Sequence, residues 1–291
     1  MKYNFDKYID RKNTNSTKWD YNSFFFGRED VLPMWVADMD FESPPEVREA
    51  MLRSVEHGIY GYFQRSDGYY RSIINWLYKR HRWRIDREWI VSTPGVVTAL
   101  NIAIITYTSP GDKVLIQTPV YPPFYNVVRN NGRQLVTNSL KEEDGRYTMD
   151  FDDLETKMRD DVKMIILCSP HNPVGRVWNR EELEKVCNLC YKYGVLLVSD
   201  EIHSDIVYDG YEHRPIATIC SEMLDNSITC IAPSKTFNIA GLEESTIIIP
   251  NENLRRKFQN TIKKIGIGGG NIFGVTALEA AYTYGEQWLD E

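Results

Sequence analysis

Six short apolar segments in the second part of the chain place the strongest limit on its fold. Each is rich in β-branched residues and is bounded by proline, glycine, asparagine or aspartate, which is typical of buried strands. They span 113–119, 133–140, 163–170, 195–202, 227–234 and 245–250. Helical stretches such as 179–194 lie between several of them. This alternation predicts an α/β fold in which a three-layer, mostly parallel sheet carries helices on both faces.

The regions on either side of the sheet-forming part have different patterns. Residues 1–45 contain many aromatic side chains and few regular periods, so we expect an N-terminal arm and part of a small α+β domain. Residues 46–275 are predicted to form the large domain. Residues 276–291 read as the start of an interdomain helix, and the last six of them, "EQWLDE", contain no terminating glycine or turn.

The charge pattern excludes several classes of partner. The chain of 291 residues has a formal net charge of −7, and its basic residues are scattered and not clustered as in a nucleic-acid-binding surface. No apolar run approaches the ~18 residues of a membrane span. The N-terminus lacks the apolar core of a signal peptide. We therefore expect a cytoplasmic protein without a nucleic-acid or membrane partner.

The cysteines are expected to be reduced thiols. There are five, an odd number, in a chain without a secretion signal. Cys187 and Cys190 are spaced as C-x-x-C within a predicted amphipathic helix, where a spacing of three residues places both on one face. No second pair of cysteines or histidines completes a zinc site, so we expect packed thiols and no metal.

Polar side chains follow four of the predicted strands. In open α/β sheets, ligands bind beyond the carboxyl ends of the strands, so these residues are expected to meet at one edge. They are Tyr121, Asn172, Asp200, His203, Ser234 and Lys235.

Each of these residues alone has an ordinary explanation. Asp200 could cap a helix, Asn172 could form a turn, and most lysines are solvated surface charges like the one that Lys235 could be. Asp200, however, closes an apolar strand, so its carboxylate is expected to be partly desolvated and to require a cationic or N–H partner. Upstream, a glycine turn opens an apolar helix at Val96 and Val97, whose amides suit a phosphate, although glycine begins many helices.

Pyridoxal phosphate requires all of these groups at once. It needs an amine for its aldehyde, an acid for its ring nitrogen and a donor for its phenolate oxygen. It also needs a flat group against its ring and a cradle for its phosphate. The sequence therefore predicts a pyridoxal 5'-phosphate site.

Three motifs at this edge resemble a known family. "SPHNPVG", "SDEIHSD" and "PSKTFNIAGL" are similar to the fold-type-I, pyridoxal-phosphate-dependent aminotransferase superfamily of class I/II. Together with "PMWVADMDF" and "TPVYPPFY", they resemble its MalY/PatB branch of cystathionine β-lyases and carbon–sulfur lyases. The resemblance extends over essentially all 291 residues.

The resemblance implies a role for each residue at the sheet edge. Lys235 would form the Schiff base with the cofactor aldehyde, and Asp200 would pair with the ring nitrogen. Asn172 would bind the phenolate oxygen, and Tyr121 would stack on the ring. His203 occupies a position where many members of the superfamily have tyrosine.

The phosphate would also have several ligands. The resemblance assigns this role to the amides of Val96 and Val97 and to the hydroxyl of Ser234. Tyr62 matches a tyrosine that reaches the phosphate of the neighbouring subunit, which implies a homodimer with shared active sites.

The chain departs from the family pattern in two respects. Glu243 occupies a position where many members have a phosphate-binding arginine, although this branch commonly lacks it, and we expect the carboxylate to point away from the phosphate. The family normally continues into the rest of a small domain, which carries the arginine for the substrate α-carboxylate. We therefore expect a C-terminally truncated member with an incomplete small domain.

The expected activity is α,β-elimination by a pyridoxal-phosphate-dependent carbon–sulfur β-lyase. Cystathionine or a related L-cysteine thioether would yield pyruvate, ammonia and a thiol. One alternative is an aminotransferase of a neutral or aromatic amino acid, since the same lysine chemistry supports both outcomes. Another is a catalytically impaired homologue with a regulatory or binding role.

Overall fold

A seven-stranded sheet lies at the centre of the computed structural model, which describes residues 2–291. Its strands run in the order β1-β9-β8-β7-β6-β2-β3, and β9 is the one strand of this sheet that runs in the opposite direction to the others. A separate hairpin pairs β4 with β5. The strands are β1 (Ile90–Thr93), β2 (Lys113–Thr118), β3 (Gln134–Ser139), β4 (Lys141–Glu143), β5 (Arg146–Thr148), β6 (Val162–Cys168), β7 (Leu196–Asp200), β8 (Ser227–Ile231) and β9 (Ser245–Ile248).

The six strands predicted from the sequence are all confirmed. Strand β1 escaped prediction because it has only four residues and no alternating pattern. The hairpin escaped because its strands are short and largely polar. Its turn does have a local signal, since Asp144 and Gly145 both have positive φ angles (51° and 75°), as a two-residue hairpin turn requires.

Helices cover both faces of the sheet. They are α1 (Thr17–Asp20), α2 (Asn22–Phe26), α3 (Pro45–His57), α4 (Asp67–His81), α5 (Val96–Tyr107), α6 (Pro123–Asn130), α7 (Phe151–Arg159), α8 (Arg180–Tyr193), α9 (Glu222–Asn226), α10 (Pro233–Thr236), α11 (Glu252–Ile265), α12 (Ile272–Tyr284) and α13 (Glu286–Asp290). Helix α8 shows how local sequence sets such bounds. Asn179 and Glu182 form a capping box at its start, and Gly194 ends it in the left-handed conformation.

Alternate strand residues pack into separate cores on the two faces. Val114 and Ile116 of β2 lie in a cluster with α5, α6 and α11, whereas Leu115 between them lies in a cluster with α7 and α8. This alternation is the period-two consequence of strand geometry. A third cluster joins α3, α4, α12 and α13. The predicted three-layer, mostly parallel sheet is therefore confirmed.

The C-terminal helix begins earlier than the sequence suggests. Helix α12 starts at Ile272, so the predicted boundary between residues 275 and 276 lies inside a helix. Asn271 caps its start by accepting a hydrogen bond from the amide of Gly274. Helix α12 packs on α3 and α4, and Gly285 separates it from α13. The division into domains, with its boundary between residues 275 and 276, stays a prediction.

All five cysteines are free thiols, as predicted. Cys187 and Cys190 are fully buried on α8 and pack in the same core cluster, where burial raises the pKa of both thiols. Within residues 2–291, no group of three or more histidine, cysteine, aspartate or glutamate side chains is arranged so that it could hold a metal ion. The helices of this same range are all too short or too polar to cross a bilayer.

The sheet-facing core should dominate stability. Phe124 on α6 is fully buried, so Phe124→Ala should lower the free energy of unfolding by about 3–5 kcal/mol through lost burial and a residual cavity. Urea unfolding measures the loss. Tyr191→Ala on α8 is the control, because Tyr191 is 67% exposed and its removal should change stability by no more than about 0.5 kcal/mol. Equal effects of the two substitutions would contradict the packing described above.

Candidate active site

Asp200 lies at the carboxyl end of the central strand β7. Strands β6 and β8 flank it on both sides, where it pairs with Cys168 and Cys230, and its side chain is buried. One carboxylate oxygen accepts a hydrogen bond from the amide of Ile202 (3.1 Å). Burial nevertheless raises the pKa of Asp200 to about 7, and the charge of Glu201 contributes to this rise. The site thus contains a desolvated acid that lacks a hydrogen-bonded cation within the described chain.

Lys235 lies on α10, the single helical turn that follows β8. Pro233 begins this turn, as suits the first helical position. The Lys235 side chain is half-buried, and its Nζ donates a hydrogen bond to the carbonyl of Ala37 (3.1 Å). Burial lowers its pKa, although the charges of Asp38 and Asp200 oppose this effect. Lys235 is therefore not an ordinary solvated surface charge.

The loop after β6 brings Asn172 beside Tyr121. The amide of Tyr121 donates to the carbonyl of Asn172 (3.0 Å), and the His171 Nε2 contacts the carbonyl of Pro119 (2.8 Å). A carbonyl can only accept, so Nε2 of His171 carries the proton in this contact. Burial and the nearby charge of Asp200 raise the pKa of Tyr121. These contacts tie the loops after β2 and β6 together at the sheet edge.

His203 lies in the turn that follows β7. Burial lowers the pKa of its imidazole to about 4, and the positive charge of Lys235 adds to the effect. The imidazole is therefore neutral near neutral pH. It can form a hydrogen bond there without adding a second positive charge beside the amine.

The start of helix α5 offers unpaired amides. The first helical hydrogen bond runs from the amide of Ala99 to the carbonyl of Gly95 (3.2 Å), so the amides of Val96 and Val97 precede it. Gly95 has a φ of 96°, a conformation that favours glycine. The hydroxyl of Ser234 likewise has no hydrogen-bond partner within the described chain. Helix α5 contacts β7 and β8, the strands that lead to Asp200 and Lys235.

Tyr62 stands apart from the other predicted site residues. It lies in the extended segment between α3 and α4, and its side chain is fully exposed. It makes no hydrogen bond to any part of residues 2–291. No hydrogen bond therefore links Tyr62 to the other predicted site residues within residues 2–291.

Glu244, the residue after Glu243, is the carboxylate that forms a buried ion pair here. Glu243 is exposed, whereas Glu244 is buried and pairs with Arg65 (3.0 Å). Glu244 also accepts a hydrogen bond from the hydroxyl of Tyr69 (2.7 Å). These contacts anchor the segment that carries Tyr62. Sequence reasoning missed the pair because 179 residues separate its partners.

A cleft of about 650 Å³ opens beside these residues. Ala37, Asn172 and His203 line it, together with Arg146 of the hairpin and Tyr208. Ala37 was not predicted, because it contributes a backbone carbonyl and such a contribution has no sequence signature. Lys235 and Asp200 are not among its lining residues, and the cleft is connected to the amine through Ala37, whose carbonyl accepts the hydrogen bond of Lys235.

The arrangement fits pyridoxal phosphate. A buried carboxylate without a hydrogen-bonded cation suits a protonated pyridine nitrogen, and a half-buried amine of lowered pKa suits an aldehyde. The two unpaired amides at the start of α5 suit a phosphate. The individual roles of the eight cofactor-binding residues and Lys235 stay predictions.

Comparison with known proteins gives consistent matches. The model of the family "Aminotransferase class I and II" matches residues 29–282. Over 289 residues, the chain is 50% identical to cystathionine beta-lyase PatB of Bacillus subtilis, covering 99% of this chain and 75% of that protein.

Two solved structures are similar over the whole chain. One is cystalysin from Treponema denticola, which contains pyridoxal 5'-phosphate (40% identity, TM-score 0.95, 100% of this chain and 74% of that one). The other is the PLP-bound C–S lyase from Staphylococcus hominis (37% identity, TM-score 0.92, 100% and 73%). The chain thus spans about three-quarters of the length of each of these proteins.

The raised pKa of Asp200 should make stability depend on pH. Its pKa rises from 3.8 to about 7 on folding, so its protonation stabilises the cofactor-free fold at low pH, and this contribution is lost as pH rises through about 7. Relative to Asp200→Asn, the wild-type free energy of unfolding should fall by about 2–3 kcal/mol between about pH 5 and about pH 7.5. Urea unfolding at each pH measures the difference.

The control is Asp144→Asn in the exposed hairpin turn, whose pH dependence should parallel that of the wild type. A constant difference between wild type and Asp200→Asn across this range would refute the assignment of a raised pKa to Asp200.

Proposed function

Because the chain belongs to the aminotransferase class I and II family, we infer that it is a pyridoxal-phosphate-dependent carbon–sulfur β-lyase. The observation that carries this inference is the half-buried amine of Lys235 close to the buried carboxylate of Asp200. The proposed reaction is α,β-elimination of cystathionine, or of a related L-cysteine thioether, to pyruvate, ammonia and a thiol. The 50% identity to cystathionine beta-lyase PatB supports this substrate class.

The residues at the sheet edge would hold the cofactor in a fixed orientation. The Asp200 carboxylate would accept a hydrogen bond from the ring N–H, and this cationic partner would offset the cost of burying the acid. Asn172 would donate to the phenolate oxygen, and Tyr121 would lie against the ring. Neutral His203 adds a polar contact at this edge.

The phosphate-binding group is built from backbone and hydroxyl donors. The amides of Val96 and Val97 point along the axis of α5, whose dipole favours an anion at this end. The hydroxyl of Ser234 adds a third donor next to Lys235. These donors can bind the phosphate without an arginine. This agrees with the presence of Glu243 at the position where many members of the family have a phosphate-binding arginine.

When bound, pyridoxal phosphate supplies an aldehyde that bonds to amino groups and a protonated ring that withdraws electrons from the substrate α-carbon. Lys235 would be the residue that holds this aldehyde in the absence of substrate. Its lowered pKa leaves more of the amine neutral near neutral pH, so Nζ can accept the α-proton of the substrate. The carbonyl of Ala37 orients the amine through the 3.1 Å hydrogen bond.

We also propose a homodimer with shared active sites, in which Tyr62 binds the phosphate of the neighbouring subunit. Its full exposure supports this role, as do the exposed apolar side chains of Phe24, Met34 and Ile59. A cytoplasmic location is proposed with it. The proposed division is an arm at 1–45, a cofactor-binding large domain at 46–275 and the beginning of a small domain after it, with the helix itself starting at Ile272.

Lys235→Ala should abolish pyruvate release from L-cystathionine and the visible absorbance band of the lysine-bound cofactor. The loss in rate should reach at least about a thousandfold, since both the covalent bond and the proton acceptor disappear. A coupled pyruvate assay and an absorbance spectrum measure the two effects. The control is Lys263→Ala on α11, which should retain both. Amino exchange that requires a keto acid and releases no pyruvate would instead identify an aminotransferase.

The shared site can be tested by mixing two inactive variants. In a mixed dimer of Lys235→Ala and Tyr62→Ala subunits, one of the two sites contains both Lys235 and Tyr62. Mixing under conditions of subunit exchange should therefore restore activity to about a quarter of the wild-type value, because about half of the dimers are mixed at equal ratio. Activity that never exceeds the sum of the separate variants would show that Tyr62 does not act across the interface.

A further inference from the structure

Two buried carboxylates near the active site have no part in the chemistry described above. The side chains of Asp205 and Glu201 are 4% and 1% exposed. Both belong to the segment that follows β7, on either side of His203. A buried carboxylate is costly unless several donors satisfy it, so the partners of these two groups are informative.

Asp205 joins two separate elements. It accepts hydrogen bonds from the indole of Trp76 (3.1 Å) and from Nε2 of His81 (2.8 Å), both on α4. It also accepts one from the hydroxyl of Thr236 (2.8 Å), the residue next to Lys235. The single turn that carries the amine is thereby held to the 15-residue helix α4 through one carboxylate.

Glu201 fixes the other side of the site in the same way. It accepts hydrogen bonds from the hydroxyl of Ser199 (2.9 Å), from Nε2 of His213 (2.9 Å) and from the amide of Ile216 (2.9 Å). Because Glu201 follows Asp200 directly, these bonds hold the end of β7 in place.

The two carboxylates are linked by their histidines. The rings of His81 and His213 meet edge to face, with centroids 5.3 Å apart and an interplanar angle of 85°. Thr236, Asp205, His81, His213 and Glu201 thus form a continuous buried network, which we call the Asp205–Glu201 network. It connects the turn of the active-site amine with the strand end of the active-site acid.

Stability alone does not account for this network. Replacing a buried ionic cluster with apolar side chains often leaves the stability of the fold unchanged or raises it. Asp205 lies beside the aromatic side chains of Trp76, Phe237 and Tyr282, among which an apolar side chain would also pack. What the polar network provides is directionality, since hydrogen bonds restrict the orientation of α10 more tightly than apolar contacts do.

We propose that Asp205 is a positioning residue for Lys235 and that it acts through the hydroxyl of Thr236. The proposal rests on the proposed function, because Lys235 is the reactive amine there. Asp205 does not line the cleft. It fixes the direction in which α10 presents Nζ to the cleft, while Glu201 and the two histidines fix the acid against which the ligand is held.

Thr236→Val tests the proposal, because valine has nearly the same shape as threonine but cannot donate to Asp205. In the cofactor-loaded protein, kcat should fall about tenfold or more while KM stays within about twofold, since misplacing a reactive group by about 1 Å can cost a hundredfold in rate. Thr236→Ser keeps the hydroxyl and should stay within about twofold of wild type in both constants. Equal losses in the two variants would show that the loss is not specific to the hydroxyl, and this would overturn the proposal.

A second readout needs no activity. In the cofactor-free protein, the reaction of Lys235 with acetic anhydride at a series of pH values, followed by peptide mass spectrometry, reports the environment of the amine. Thr236→Val and Asp205→Asn should each shift the midpoint for Lys235 by at least about 0.5 pH units through the altered burial of Nζ. The exposed Lys192 serves as the internal control and should not shift.

A matched control removes an equivalent hydrogen bond elsewhere. Thr108 at the end of α5 is also buried, and its hydroxyl donates to the carbonyl of Ile104 (2.6 Å). Thr108→Val should lower the melting temperature without changing kcat or the Lys235 midpoint. If Thr236→Val behaves in the same way, the network is structural only and the proposal is wrong. A wild-type protein without lyase activity would refute the proposed function, and the labelling midpoint would still decide whether Asp205 positions Lys235.

Discussion

The burial of one carboxylate organises the active-site half of this molecule. Asp200 lies in the middle of the sheet, and the positive charge of Lys235 acts on it through space without a hydrogen bond. The resulting pKa of about 7 reflects a buried carboxylate whose negative charge has no hydrogen-bonded cation in the protein, so that a ligand can supply one. A half-buried amine, a neutral imidazole and unpaired helix amides lie around the same edge of the sheet. The proposed partner of this acid is the cationic ring nitrogen of the cofactor.

Helix α4 supplies the rigidity behind this edge. Trp76 stacks on Tyr282 of α12, with ring centroids 5.1 Å apart, and donates to Asp205 as well. Near the start of the same helix, Tyr69 donates to Glu244, which also holds Arg65. One helix thus anchors both the turn of Lys235 and the segment of Tyr62. Positioning by a long packed helix suits a site whose reactive residues lie on short turns and loops.

Most of the fold and much of the site were predictable from the sequence, for identifiable reasons. The six predicted strands have strong β-branched patterns between turn residues, whereas β1 and the hairpin have weak patterns and were missed. Asp200 and Lys235 were found because the first ends an apolar strand and the second lies on the turn that follows one. Glu244 and Asp205 were missed because their partners Arg65 and Thr236 are distant in the chain, and no local pattern marks a side chain that will meet a remote one. Ala37 was missed because its carbonyl, and not its side chain, binds the amine.

The sequence by itself determined the class of the fold, the edge at which polar groups converge and the chemistry that they can support. These follow from period-two and helical patterns and from residue types at strand ends, all of which are local properties. Only the tertiary structure decided the raised pKa of Asp200, the half-buried state of Lys235 and the network from Thr236 to Glu201. Those properties depend on desolvation and on hydrogen bonds between distant segments, which arise only when the packed chain excludes water from the site.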